Sequence, residues 1–223
     1  ATSRWIAAYR KQGFVALGMD CRSGKGVSNF APAVREQLLP ALLEKRAAHG
    51  MTGAPIRLMV VGIPNVGKSS FINRMAQSKR AKVEDRPGVT RTKQWVKIGS
   101  NMELLDMPGV LWPKFDDQTV AQKLAFTGAI NDDVMDLEAL ACLLLQRLAV
   151  SYPKALEERY RMTDLQAIQE DGFAMLELLG RKRGMLISGG EVNTERAAIT
   201  LLDEFRSGKL GRITLELPEQ EAL

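Results

Sequence analysis

Apolar residues recur along the chain at two different spacings, and the change between them divides it. Residues 2–12 (TSRWIAAYRKQ) place Trp5, Ile6 and Tyr9 on one face, the three-to-four-residue rhythm of a helix. Gly13 stops that pattern, and residues 14–19 (FVALGM) form an apolar run short enough for a buried strand. A turn-rich stretch over 20–26 leads into a second helical pattern over 29–48, closed by His49 and Gly50, with 51–55 as a linker. Residues 56–61 (IRLMVV) predict another buried strand, followed by a Gly-rich turn and a helix reaching Met75. Residues 79–93 are charged and contain the Pro87-Gly88 breaker, so they predict a loop. Strands are predicted at 94–98 and 102–105, joined by the turn 99–101.

Beyond Thr119 the strand signal nearly vanishes. Helices are predicted at 137–148, 173–183 and 194–206, and only 212–217 reads as a strand. Leu137, Leu140, Leu144 and Leu148 share one helical face, as do Ala198, Leu201, Leu202 and Phe205. The pattern predicts an α/β domain over 1–118 followed by a mostly helical domain over 119–223.

Composition narrows the chemistry. With 223 residues, 45% apolar and 26% charged, the chain has the profile of a globular protein with a real core. No apolar run approaches the ~18 residues of a membrane span, and no secretory signal pattern opens the chain. Two cysteines, Cys21 and Cys142, make no disulfide framework, so a cytoplasmic location is expected. A single histidine, His49, excludes His-based zinc sites and removes support for a Ser-His-Asp triad. Charge is uneven: 19 Lys and Arg face 9 Asp and Glu in residues 1–118, against 12 and 17 in residues 119–223. Any polyanion contact is therefore biased toward the first half.

The strongest local signal is Gly62-Ile63-Pro64-Asn65-Val66-Gly67-Lys68-Ser69, a G-x-x-x-x-G-K-[ST] phosphate loop set between a predicted strand and a predicted helix. Its glycines let backbone N–H groups close around phosphate oxygens, and the following helix N-terminus adds a favourable dipole. Asn65, Val66, Gly67, Lys68, Ser69 and Ser70 form the expected nucleotide cradle. Lys68 reaches the β/γ-phosphates and Ser69 ligates Mg²⁺. Downstream, Leu104-Leu105-Asp106-Met107-Pro108-Gly109 ends a predicted strand in a carboxylate, where phosphate-loop NTPases hold Mg²⁺. The D-x-P-G form points to a GTPase, with the Gly109 N–H sensing the γ-phosphate. Between them, Pro87-Gly88-Val89-Thr90 supplies a threonine for Mg²⁺ and γ-phosphate; Thr92 competes with Thr90 for that role.

The guanine-reading N-K-x-D motif does not follow Gly109. Instead a predicted strand precedes the phosphate loop, and the turn after it, Asp20-Cys21-Arg22-Ser23-Gly24, resembles the last GTPase motif, whose backbone N–H binds the guanine oxygen. Cys21, with Arg22 beside it, holds the position usually filled by a small residue. The expectation is a circularly permuted GTPase domain, truncated so that N-K-x-D lies upstream of Ala1. Two other readings stay open: a generic phosphate-loop ATPase or kinase, and an RNA-binding module with a vestigial pocket.

Taken together, GIPNVGKSSFIN (62–73), PGVTR (87–91), LLDMPGVLWPKF (104–115), KLAFTGAI (123–130) and AAITLLDEFRSGKLGRITLE (197–216) resemble the permuted ribosome-assembly GTPases of the ribosome biogenesis GTPase A (YlqF/RbgA) type. The resemblance implies a permuted α/β GTPase domain with a parallel-type sheet and a helical C-terminal domain. It implies GTP hydrolysis in late assembly of the large ribosomal subunit, with that subunit and its rRNA as partners, and neither DNA nor membrane. Asn65, Lys68, Ser69, Thr90, Asp106 and Gly109 carry the matching motif positions, and the protein is expected to be monomeric. Val110 stands where Ras-like enzymes place a water-orienting Gln, so turnover is expected to be slow until the subunit stimulates it. Asn65 is also a candidate potassium ligand. Eight basic residues over 74–97 (Arg74, Lys79, Arg80, Lys82, Arg86, Arg91, Lys93, Lys97) are expected to meet rRNA phosphates, with smaller patches at Arg181-Lys182-Arg183 and at Arg206, Lys209 and Arg212.

Overall fold

The computed structural model describes residues 1–51, 55–76, 94–98, 102–111 and 116–218. The chain divides into two compact units, one of Ala1–Leu111 with Glu216–Leu223, the other of Trp112–Leu215.

The first unit opens with helix α1 (Thr2–Lys11). The predicted strand over 14–19 is not one: the segment is irregular, with no ladder partner among the described residues. It lies instead against α1, where Phe14 N donates to Tyr9 O, Arg10 Nη2 donates to Ala16 O at 3.1 Å, and the Tyr9 and Phe14 rings meet edge to face. An apolar run suits a strand only where another strand supplies the missing hydrogen bonds.

The helix predicted over 29–48 is interrupted. A 3₁₀ turn (Val27–Asn29), the short helix α2 (Phe30–Ala33) and a π-helical turn (Val34–Leu38) precede helix α3 (Pro40–Ala48). Pro40 is the cause, because it has no N–H to donate and its ring clashes with the carbonyl four residues back. It sits at the first position of α3, where neither defect matters.

Strands β1 (Ile56–Val60), β2 (Gln94–Ile98) and β3 (Met102–Asp106) form one sheet in the order β1-β3-β2. β1 runs parallel to β3 and β2 antiparallel to it, so the sheet is mixed rather than of the expected parallel type. β2 and β3 are too close in sequence for a crossover, and so must pair antiparallel. Central β3 buries Met102, Leu104 and Asp106 on alternate positions, and Val34, Leu39, Ile56, Ile72 and Ile98 complete that core. Phe30 and Phe71 seal it edge to face at 5.0 Å. Ile72 comes from helix α4 (Lys68–Met75), which starts directly after the phosphate loop. The opposite side is thinly covered: Met59 is 60% and Val61 66% exposed.

The second unit is helical, with α5 (Gln118–Phe126), α6 (Leu137–Ser151), α7 (Pro153–Tyr160), α8 (Gly172–Lys182) and α9 (Thr194–Arg206). α6, α8 and α9 correspond closely to the predicted helices. Asp117, Asp136, Asp171 and Asn193 each accept a first-turn backbone N–H, the preferred N-cap chemistry. The apolar faces converge: Leu140, Leu144, Leu148, Leu176, Leu201 and Leu202 are buried together, each worth about 1.5–3 kcal/mol against exposure. Gly172 lets α8 approach α6, since a Cβ there would lie 2.7 Å from that of Cys142.

Two charged clusters tie this unit together. Glu204 accepts from Arg159, from Arg183 at 3.0 Å and from the Tyr160 hydroxyl at 2.8 Å. Arg206 pairs bidentately with Asp132 and also donates to the carbonyls of Ala125 and Phe126 at the end of α5. The predicted strand at 212–217 is irregular chain instead, anchored by the Tyr152 hydroxyl, which donates to the Thr214 carbonyl and accepts from its amide, and by Arg147 at the Leu215 carbonyl. Side chains provide there what a neighbouring strand would have provided.

Candidate nucleotide-binding site

The site is built at the C-terminal ends of two parallel strands. β1 delivers the chain into Gly62-Ile63-Pro64-Asn65-Val66-Gly67, and Val60 stands opposite Asp106 at the end of β3. Within the loop Asn65 adopts φ 58° and Gly67 φ 93°. Asn is among the few side chains that tolerate the left-handed region, so Asn65 shapes the turn directly. Gly67 caps α4 without any side chain, and the helical ladder begins only with Phe71 N donating to Gly67 O at 2.9 Å. The amides of Lys68, Ser69 and Ser70 therefore precede the ladder, in the geometry that suits phosphate oxygens.

Lys68 folds back over its own loop, its Nζ donating to the carbonyls of Ile63 at 2.7 Å and Gly62 at 3.0 Å. Partial burial lowers its pKa, and the attraction of Asp106 opposes that shift. Two backbone acceptors thus hold the ammonium beside the loop that a phosphate would enter. Asp106 is fully buried, with the Ser69 hydroxyl 3.5 Å from its Oδ2. A hydroxyl and a buried carboxylate at that spacing are hard oxygen donors of the kind Mg²⁺ takes, so these residues fit the ion.

Gly109 completes the arrangement by close approach. A Cβ at that position would lie 2.7 Å from both the backbone N and the Cα of Pro64, so only glycine fits against the phosphate loop. Pro64 is a part of the site that the motif pattern did not single out. Thr90, Thr92 and the rest of 77–93 lie outside the described residues, among them Lys79, Arg80, Lys82, Arg86, Arg91 and Lys93.

The turn at 20–24 is organised by Asp20, which sequence reading also passed over. Its carboxylate accepts from Arg22 N at 2.8 Å, from Ser23 N at 3.3 Å and from the Ser23 hydroxyl at 2.7 Å. Those bonds hold the Asp20 carboxyl below its usual pKa. An Asp followed three residues later by Ser in a Gly-rich stretch is the signal that could have revealed this turn. Burial raises the pKa of the Cys21 thiol and Asp20 adds to the effect, which argues against a reactive thiolate. His49 bonds the Lys45 carbonyl at the end of α3, a local helix-end contact.

Some basic residues expected to face RNA already have partners within the protein. Arg74 donates to the Arg22 carbonyl, Arg183 to Glu204, and Arg206 to Asp132 and two helix-end carbonyls. Each has a partner of its own within hydrogen-bonding distance, which removes it from a surface-only role. Arg181, Lys182, Lys209 and Arg212 are exposed.

A strand–loop–helix phosphate cradle beside a strand-end Asp and an Asp-x-Pro-Gly turn defines a phosphate-loop nucleotide-binding protein, and comparison assigns the class. A family model described as a 50S ribosome-binding GTPase matches residues 57–170. Ribosome biogenesis GTPase A of Bacillus cereus is 42% identical over 219 residues, spanning 98% of this chain and 73% of that protein. The protein of the same name from Thermotoga maritima is 27% identical over 218 residues, spanning 98% and 71%. GNP-bound YlqF from T. maritima has a similar fold, with a TM-score of 0.55 at 24% identity over 97% of this chain and 75% of that one. The chain belongs to the ribosome biogenesis GTPase A family, a group of GTPases of ribosome biogenesis. Among the described residues no helix is long and apolar enough to cross a membrane.

Proposed function

We propose that this protein is a GTP-driven switch in late assembly of the large ribosomal subunit, binding the precursor with GTP and leaving it after hydrolysis to GDP. The observation that carries this reading is the contact between its two nucleotide motifs: Gly109 packed on Pro64, with Asp106 beside Ser69. A γ-phosphate entering that cradle would press on both loops at once, and its loss would release them.

In this reading residues 1–118 are a circularly permuted GTPase domain and residues 119–223 a helical domain that contacts rRNA. Lys68 leaves its two carbonyls for the β/γ-phosphates, and the amides of residues 65–70 hold the phosphate oxygens. Ser69, Asp106 and Thr90 would hold Mg²⁺, which supplies charge neutralisation between the β- and γ-phosphates. Gly109 donates its N–H to the γ-phosphate. The Cys21 and Arg22 segment lies against the guanine. Asn65, besides shaping the turn, would hold potassium, which would supply added positive charge in favour of the transition state. Val110 cannot orient water, so the protein alone is slow, and the large subunit accelerates it by ordering Thr90. Arg181, Lys182, Lys209, Arg212 and Lys97 are exposed and would meet rRNA phosphates. The basic residues over 79–93 belong to the same proposed contact. The working form is a cytoplasmic monomer.

The test is cosedimentation of the protein with purified large and small subunits, in a non-hydrolysable GTP analogue and in GDP. Binding to the large subunit that depends on the analogue supports the switch. Equal binding in both nucleotides would leave a constitutive RNA-binding protein, and preference for an ATP analogue would favour the ATPase reading. Turnover in potassium against sodium, for wild type and Asn65→Ala, tests the cation. Equal rates in the two salts for wild type would confine Asn65 to shaping the turn.

A further inference from the structure

The turn at 20–24 uses most of its own backbone. The amides of Arg22 and Ser23 donate to the Asp20 carboxylate, that of Gly24 to the Asp20 carbonyl at 2.7 Å, and that of Asp20 to the Lys25 carbonyl. Among the described residues the Cys21 amide has no acceptor, which singles it out as the donor the turn offers to a ligand. Among the described residues, the turn's hydrogen bond to a distant part of the chain comes from the phosphate-loop helix. Arg74, in the last turn of α4, donates from Nη2 to the Arg22 carbonyl at 2.6 Å, across 52 residues of sequence. Gly24 makes room for it, since a Cβ there would lie 3.0 Å from the same Nη2. The guanidinium thus lies along Arg22 and Gly24, just after Cys21.

We propose that Arg74 is a positioning residue for base recognition, tying the 20–24 turn to α4 so that the Cys21 amide is held at a set distance from the phosphate cradle. The inference rests on the proposed reading of that turn as the guanine contact. The physical argument is one of span. The cradle is anchored at the N-terminus of α4 and the turn at its C-terminus, so one rigid helix fixes the separation of the phosphate and base contacts. A charge-assisted hydrogen bond is stronger and shorter than a neutral one, which suits a joint between two otherwise separate loops. Arg74 itself is exposed, so replacing it leaves the core of the unit intact.

The contact is read from how substitution of Arg74 changes the preference for the 6-oxo base. GTP, 2-aminopurine riboside triphosphate (no 6-oxo group and no N1–H), ITP (no 2-amino group) and pyrophosphate are competed against a fluorescent GDP. The competitions use full-length wild type, Arg74→Ala and Arg74→Lys, with thermal midpoints recorded for each. Wild type is expected to prefer GTP over the 2-aminopurine analogue. Arg74→Ala should cut that preference about tenfold, the effect of roughly one charge-assisted hydrogen bond. Its preference for GTP over ITP and its affinity for pyrophosphate should stay within about twofold, and Arg74→Lys should recover part of the loss. If Arg74→Ala keeps the full 6-oxo preference, or weakens all four competitors alike, the positioning role is wrong while the reading of the turn stands. If wild type itself shows no 6-oxo preference, the reading of the turn fails first and takes the role of Arg74 with it.

Discussion

The helical unit and the nucleotide-binding unit start most of their helices in opposite ways, α7 with its leading Pro153 being the exception in the helical unit. In the first, α5, α6, α8 and α9 each begin with an Asp or Asn whose side chain accepts a first-turn N–H. In the second, α1, α3 and α4 carry no such cap, and α4 follows a glycine at φ 93°. A capped helix satisfies its own terminus and is stable without a ligand, whereas the uncapped terminus of α4 leaves that chemistry to phosphate. The cores differ in the same sense. Five helices share one continuous apolar cluster that includes Leu140, Leu144, Leu176 and Leu201, while the sheet has one small packed core and leaves Met59 and Trp95 exposed. One unit is built for stability and the other for a ligand.

That contrast is open to mutation, and the largest effect is expected at the buried carboxylate of the helical unit. Glu204→Ala leaves Arg159 and Arg183 facing an empty site, and should cost about 3–5 kcal/mol in denaturant unfolding. The hydrogen bonds from Arg159, with the Tyr160 hydroxyl and Arg183, hold the Glu204 pKa down at about 2. A carboxylate with a depressed folded-state pKa stabilises fully above its unfolded value, near 4.5, and loses that contribution as pH falls toward about 2. The wild-type advantage over Glu204→Gln should therefore shrink across that window and be flat above pH 6. A constant difference from pH 2 to 7 would deny the ionised cluster its role.

Next in size, Leu201→Ala empties a fully buried position and should cost about 2–5 kcal/mol. Its affinity for GTP should stay near that of wild type, measured at a temperature where both are folded. A large loss of nucleotide affinity would show that the units do not divide the labour as described. Smaller still, Asp171→Ala removes the acceptor for Ala174 N at the start of α8 and should cost about 1 kcal/mol by thermal or chemical unfolding.

Legibility followed the same division. Helices α6, α8 and α9 were readable because their apolar spacing and caps are local properties of a dozen residues. The phosphate loop was readable because its chemistry demands fixed residue types at fixed spacing. What failed depended on partners remote in sequence. Residues 14–19 and 212–217 have strand-like composition but no strand to pair with among the described residues. The antiparallel pairing of β2 with β3 was, by contrast, a local signal in the short turn between them, which the expectation of a parallel-type sheet overrode. The break at Pro40 was a local signal that the long helical pattern over 29–48 masked. Within the site, Lys68, Ser69 and Asp106 could be named from motifs. The fit of Gly109 on Pro64 and the reach of Arg74 to Arg22 are tertiary contacts that no spacing encodes. The pairing of Arg183 and Arg206 was not legible because nothing local marks Glu204 and Asp132 as their partners.

The most direct test of the central claim is multiple-turnover GTP hydrolysis in Mg²⁺ and potassium, with and without purified large subunits, for wild type and Lys68→Ala. Wild type should be slow alone and faster with subunits. Lys68→Ala should lose about 10²–10³-fold in the stimulated rate, the scale of one charge-stabilising group at a transition state, with an unchanged thermal midpoint. Hydrolysis that persists in Lys68→Ala, or wild type that turns over ATP as readily as GTP, would contradict the account.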